Sequence, residues 1–210
     1  MGRADRESTE IQNFIKNKLV KRLKTDQKNL KILSEGDLQS SVYYHLRREI
    51  KKKNYENWYV LNKLYMGEKE DEKKVPDIAI VYLKYDGETV YPKILIELKE
   101  TIGPLSTNSK KGYKKDIEKL KKLMENKKIK KAYFLLAVLP DPRKEGTSKT
   151  PFMYRTKEIE QTISENKFSS RIEPIIINSQ YDRKNKVDNS FRKKHQLLRK
   201  YREKYDSKKS

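Results

Sequence analysis

Val75-Pro76-Asp77-Ile78-Ala79-Ile80-Val81 and Lys93-Ile94-Leu95-Ile96-Glu97-Leu98-Lys99 carry most of what this chain says about its own structure. Both are short, rich in β-branched residues and bounded by turn-forming or charged segments, the pattern of β-strands. Asp86-Gly87 between them is a hairpin signal, because both residues tolerate the positive φ that a tight two-residue turn requires. Three successive apolar residues, Ile94-Leu95-Ile96, predict a central strand covered on both faces. Side chains alternate along a strand, so Glu97 and Lys99 share one face and Leu98 points to the other. The start of one antiparallel strand lies beside the end of its partner. Asp77, leading its strand, is therefore expected next to Glu97 and Lys99 at the end of theirs.

Working outward, residues 8–24 place Ile11, Phe14, Ile15, Leu19 and Leu23 on one helical face. Ser34-Glu35-Gly36-Asp37 offers capping chemistry for a second helix, in which Leu38, Val42, Leu46 and Ile50 recur at every fourth position. Asn57 to Leu61, with Leu64 to Met66, predicts a first strand, followed by the strands at 75–83 and 91–99. Thr101 to Gly112 is predicted as a loop, and Tyr113, Ile117, Leu120, Leu123 and Met124 as a helix. The apolar run Ala132 to Leu139 follows as a buried strand, and strand–helix–strand implies a parallel pair. A long polar loop from Pro140 to Pro151, a short helix around Ile159 and Ile163, a last strand from Ile172 to Asn178 and a basic helical tail from Tyr181 complete the chain. The predicted fold is α/β, a mixed central sheet flanked by helices. Residues 1–180 form a single domain whose core spans about 34–178, and 181–210 form the tail.

The chain has 210 residues, 51 of them Lys or Arg against 30 Asp or Glu, for a formal charge of +21 and a pI near 9.8. That excess points to a polyanionic partner, nucleic acid before a membrane surface. No apolar run of about 18 residues exists and the first residues lack an apolar signal region, so a protein of the cytoplasm with no membrane partner is expected. With no cysteine, disulfides and Cys-based zinc sites are excluded. His45 and His195 lie too far apart to suggest a zinc pair, and Trp58 reads as core.

Glu-x-Lys identifies nothing by itself, since it recurs at Glu49-Lys51, Glu72-Lys74, Glu125-Lys127 and Glu165-Lys167. Pro-Asp recurs at Pro140-Asp141. Only Glu97 and Lys99 lie on a central apolar strand, and only Asp77 leads the hairpin partner of such a strand. Two carboxylates that can hold a divalent cation beside one ammonium are a minimal apparatus for phosphodiester hydrolysis.

Pro76-Asp77 followed by Glu97-Leu98-Lys99 behind an apolar strand resembles the core of the PD-(D/E)xK nuclease superfamily. The resemblance implies a restriction-endonuclease-like fold and a metal-dependent nuclease acting on DNA, with an endonuclease expected. It implies that Asp77 and Glu97 bind magnesium or manganese, and that Lys99 positions the attacking water and stabilises charge on the phosphorane. Many members carry a fourth acid on the helix before the sheet. Glu35 fits that place, with Asp37 close behind. Lys110, Lys111, Lys114 and Lys115 are expected to grip phosphate by charge neutralisation and counterion release. Arg192, Lys193 and Lys194 in the tail are expected to track a DNA backbone. No Gln-x-x-x-Tyr stands on the helix after Lys99, a departure from the exonuclease-like branch. Junction resolvases, which work as homodimers, and restriction enzymes both share this core, and the residues do not choose between them. The alternative function is a nucleic-acid-binding protein that keeps the nuclease fold without catalysis.

Overall fold

A computed structural model describes residues 2–64, 76–84, 90–102, 107–126, 129–139, 161, 164, 170–177 and 197. The chain opens with α1 (Arg3–Phe14), passes through one π-helical turn (Ile15–Leu19) and continues as α2 (Val20–Lys28). The expected helix at 8–24 is thus longer and has a wide turn at its middle. Ile11, Ile15, Leu19 and Leu23 are spaced by four, which drifts by about 40° per step on an α-helix of 3.6 residues per turn. The wider π turn offsets that drift, and all four side chains are buried together with Phe14.

Helix α3 (Glu35–Lys52) is capped as its sequence suggests. Ser34 Oγ accepts from the Asp37 N–H at 3.2 Å, and Asp37 Oδ2 accepts from the Leu33 N–H at 3.1 Å and the Ser34 hydroxyl at 3.0 Å. This reciprocal arrangement satisfies donors that a helix start leaves without intrahelical partners. Leu38, Val42, Leu46 and Ile50 are buried as expected.

Strands β1 (Trp58–Asn62), β2 (Ile78–Leu83), β3 (Val90–Ile102), β4 (Lys131–Leu139) and β5 (Ile172–Ile177) form one five-stranded sheet in the order β1-β2-β3-β4-β5. β1, β2 and β3 are antiparallel neighbours, whereas β3, β4 and β5 are parallel, so the sheet is mixed. Helix α4 (Thr107–Asn126) connects β3 to β4, which gives the parallel pair expected of a strand–helix–strand unit. The two faces carry separate apolar clusters. Trp58, Val60, Ile78, Ile80, Ile94, Ile96, Leu98, Tyr133 and Leu135 pack against α1–α3, and Ala79, Val81, Leu95, Phe134 and Leu136 pack against α4. The chain is therefore α/β in three layers, with β3 and β4 buried on both faces. Trp58 is core, and its indole N–H donates to Glu7 at 2.9 Å.

Several expected boundaries move. β1 stops at Asn62, where Lys63 turns at φ 50, so Leu64 lies outside the strand and 65–66 fall outside the described residues. β2 begins at Ile78 rather than at 75. β3 does not end at Lys99 but runs to Ile102, because its parallel pairing with β4 continues to Ile102↔Leu139. α4 begins at Thr107 rather than at Tyr113, so much of the expected 101–112 loop is strand and helix. The Asp86-Gly87 turn, the 140–151 loop, Ile159 and Ile163 lie outside the described residues, as does the tail apart from Leu197, which is helical and exposed. Among the described residues no helix is long and apolar enough to cross a membrane.

Candidate active site

β2 and β3 stay paired as far as Ile78↔Ile96, and there the ladder ends. Beyond it β3 continues with only β4 beside it, and Asp77 stands where the next partner of Glu97 would be. Its carboxylate takes over from the lost backbone pairing: the Leu98 N–H donates to Asp77 Oδ2 at 2.8 Å. The Asp77 carbonyl accepts from the Gln39 side chain at 2.9 Å and from the Lys63 N–H at 3.1 Å. Main chain and side chain of Asp77 are thus fixed from the turn after β1, from α3 and from β3 at once.

Glu97 shares the α4 face of β3 with Leu95, between Asp77 on one side and its β4 register partner Phe134 on the other. It is 2% exposed. Its Oε1 lies 2.5 Å from Lys119 Nζ, while Oε2 is buried without a hydrogen-bond partner among the described residues. Burial is the largest influence on this carboxyl, and repulsion from Asp77 adds to it. Lys119 opposes both, Asp116 adds a smaller repulsion, and the result is a pKa pushed up to about 8. Lys99, two residues on, is half-buried. Its Nζ lies 3.2 Å from Asp116 Oδ2 and 3.8 Å from Glu35 Oε2. Partial burial works against its charge, yet Asp116 and Glu35 hold its pKa above the usual lysine value.

Glu35, on the first turn of α3, reaches the same place. Partial burial raises its pKa; Lys99 and a hydrogen bond from the Glu100 backbone pull it down, and Asp77 and Asp116 push it up. Asp37 is engaged instead in the helix cap with Ser34 and Leu33. Of the two acids between which the sequence left a choice, Glu35 is the one facing Lys99.

The described cluster is an alternating chain: Glu35, Lys99, Asp116, Lys119, Glu97, with Asp77 beside Glu97. Four carboxylates face two ammoniums, so with every group ionised the cluster is in excess by two negative charges. Asp116 and Lys119 stand three apart on α4, 4.0 Å from each other. Sequence reading did not single them out. Their signal was available: each lies beside the apolar stripe of Tyr113, Ile117, Leu120 and Leu123, and such flanking positions face the sheet.

These residues fit a divalent cation by charge and by chemistry. Oxygen donors suit magnesium, which is commonly held by one or two carboxylates with waters completing its shell. Among the described residues no group of three or more His, Cys, Asp or Glu side chains gathers at ligand spacing. The buried, unpartnered Glu97 Oε2 is an oxygen that a cation would satisfy.

The other expected residues divide by position. Lys114 and Lys115 are exposed on α4, while the side chains of Lys110 and Lys111 on the same helix, and all of Arg192, Lys193 and Lys194, lie outside the described residues. His45 is buried on the opposite face of the sheet, its Nε2 2.7 Å from Asp26 Oδ2, and takes no part in the cluster. A scan against protein-family models, a search of curated proteins and a search of solved structures each found no match to this chain.

Proposed function

We propose that this chain is a metal-dependent nuclease that hydrolyses phosphodiester bonds of DNA, as an endonuclease of restriction-endonuclease-like architecture. The observation that carries the reading is the meeting of Asp77, buried Glu97 and Lys99 where β2 leaves β3, with one oxygen of Glu97 buried and without a partner among the described residues. A buried acid whose pKa is pushed far up by burial and a neighbouring charge is a mark of functional sites. Asp77 and Glu97 are the residues that would hold magnesium or manganese. When bound, such an ion neutralises phosphate charge and makes water a better nucleophile near neutral pH.

The protein's own groups supply the rest. The Leu98 N–H holds the Asp77 carboxylate and two further donors hold its carbonyl, so the acid is oriented before substrate arrives. Lys99, kept protonated by Asp116 and Glu35, is a donor for charge that develops on the phosphoryl oxygens. Hydrolysis adds water across one P–O bond and leaves a phosphate monoester and a free hydroxyl. Glu35, a half-exposed carboxyl with a raised pKa, is suited to hold or pass a proton at the edge of the site. The excess of lysine and arginine, and exposed Lys114 and Lys115 on the helix above the cluster, support a polyanionic substrate.

A second reading has one observation in its favour. Lys119 on Glu97 and Asp116 on Lys99 close the cluster with ion pairs, as a nuclease-like fold retained for binding alone could do. A substrate panel separates the two. Linear, supercoiled, single-stranded and branched DNA and RNA are each incubated with and without magnesium. Cleavage of at least one DNA, dependent on magnesium, is expected. Salt-dependent binding without cleavage of any member favours the binding protein.

A further inference from the structure

Lys119 pairs with one oxygen of Glu97, beside the unpartnered oxygen that a cation would satisfy. Its Nζ is 2.5 Å from Glu97 Oε1, the closest approach between charged groups in the cluster, and its side chain keeps 23% of its surface in solvent. The contact joins β3, which at Glu97 is paired with β4 alone, to α4, which meets the sheet through side chains. Asp116, one turn earlier, lies 4.0 Å from the same ammonium and offers it a second resting place. From there the flexible stem can turn outward toward Lys115, the exposed lysine one turn earlier on the same helix. Lys99 has no such freedom, being held between Asp116 and Glu35 from two different helices.

Resting on the nuclease reading above, we infer that Lys119 is the resident counter-cation of Glu97, displaced when a divalent ion binds there and thereby freed to meet a substrate phosphate. The arrangement has a purpose in charge terms. Ionised Glu97 lies buried beside Asp77, so a cation at its side offsets charge that would otherwise be uncompensated. Lys119 supplies the charge while the site is empty. A divalent ion supplies more of it, and two cations on one carboxylate repel. The ammonium released is then a donor on the helix that also carries Lys114 and Lys115, so cation binding and substrate binding favour each other, as linkage requires.

The test reads Lys119 directly. The full chain is treated briefly with an amine-acylating reagent, with and without saturating Mn2+, and each lysine is quantified by mass spectrometry. Lys119 acylation is expected to rise about tenfold with Mn2+, the factor matching a weakening of the ion pair by about 1.4 kcal/mol, while exposed Lys122 is unchanged. Glu97→Gln should show the reactive state of Lys119 without Mn2+ and no further rise with it. Calorimetry on Lys119→Met and wild type at one pH should give the variant a Mn2+ affinity at least about fivefold tighter, the low end of site–site coupling. If the variant is destabilised without metal, the acylation arm on wild type still decides. Mn2+ that binds through Glu97 while Lys119 stays protected overturns the counter-cation role alone. Absence of any Mn2+ binding that depends on Asp77 and Glu97 overturns it together with the metal site.

Discussion

Replacing Glu97 by glutamine in protein stripped of divalent ions should stabilise the fold in mildly alkaline solution and do nothing of the kind in acid. The ordinary value for this carboxyl is 4.5, and in the folded chain it stands near 8, chiefly through burial and secondly through Asp77. The folded state therefore binds the proton that the unfolded chain has already lost. Unfolding stability falls as pH rises between those two values and is flat above the upper one. At about 1.36 kcal/mol for each tenfold change in acidity, ionised Glu97 costs the fold on the order of 5 kcal/mol. Glutamine has nearly the same shape and no charge, so it removes that dependence. The pull of Lys119 on the ionised carboxyl is already part of that net shift, and the glutamine carbonyl oxygen can still accept from the ammonium. The informative quantity is therefore the change in the difference between variant and wild type. Urea unfolding of both proteins in chelator, stepped from about pH 5 to about pH 9, should show the variant gaining several kcal/mol on wild type across the range. Parallel stability profiles would refute the burial and repulsion argument, and a wild type that gains on the variant as pH rises would reverse its sign.

Other substitutions separate structure from chemistry. Asp77→Asn keeps an oxygen to accept from the Leu98 N–H, so it should lose magnesium-dependent cleavage yet shift unfolding by less than about 1 kcal/mol, whereas Asp77→Ala strands that N–H and costs about 1–3 kcal/mol. Asp37→Ala removes the acceptor for Leu33 and Ser34; it should lower stability by about 0.5–2 kcal/mol in thermal melts and leave cleavage per folded molecule unchanged. Glu35→Gln should do the opposite, lowering the cleavage rate with little effect on melting. Lys114→Ala with Lys115→Ala should weaken DNA binding equally for all sequences. It should also flatten the slope of log affinity against log salt by about 1–2, near 0.9 for each phosphate no longer neutralised, as read by fluorescence anisotropy.

The part of the site that strand geometry governs was legible in the residues. Period two puts Glu97 and Lys99 on one face, the hairpin brings Asp77 beside them, and the structure has all three where two-residue alternation requires. The end of β3 was not legible, because Glu97-Leu98-Lys99-Glu100 looks like the polar close of an apolar strand. What prolongs the strand is parallel pairing with β4, and nothing local to Glu100-Thr101-Ile102 announces a partner more than thirty residues away. The start of α4 was hidden for a related reason. Thr107-Asn108-Ser109 reads as loop chemistry, and the same residue types that favour turns also favour the first turn of a helix. Asp116 and Lys119 were lost among the many charges of α4, where only the position of each relative to the apolar stripe marks it as facing the sheet. The choice of Glu35 over Asp37 needed the hydrogen bonds themselves, since either acid is favourable near a helix N-terminus.

The central claim is that Asp77 and Glu97 act together in metal-dependent cleavage. It is tested most directly by incubating supercoiled plasmid with wild type, Asp77→Ala and Glu97→Ala in magnesium and in chelator, alongside a binding assay on the same preparations. Wild type should nick or linearise the plasmid only with magnesium, and both variants should bind DNA without cutting it. Cutting retained by both variants, or by wild type in chelator, would contradict the account.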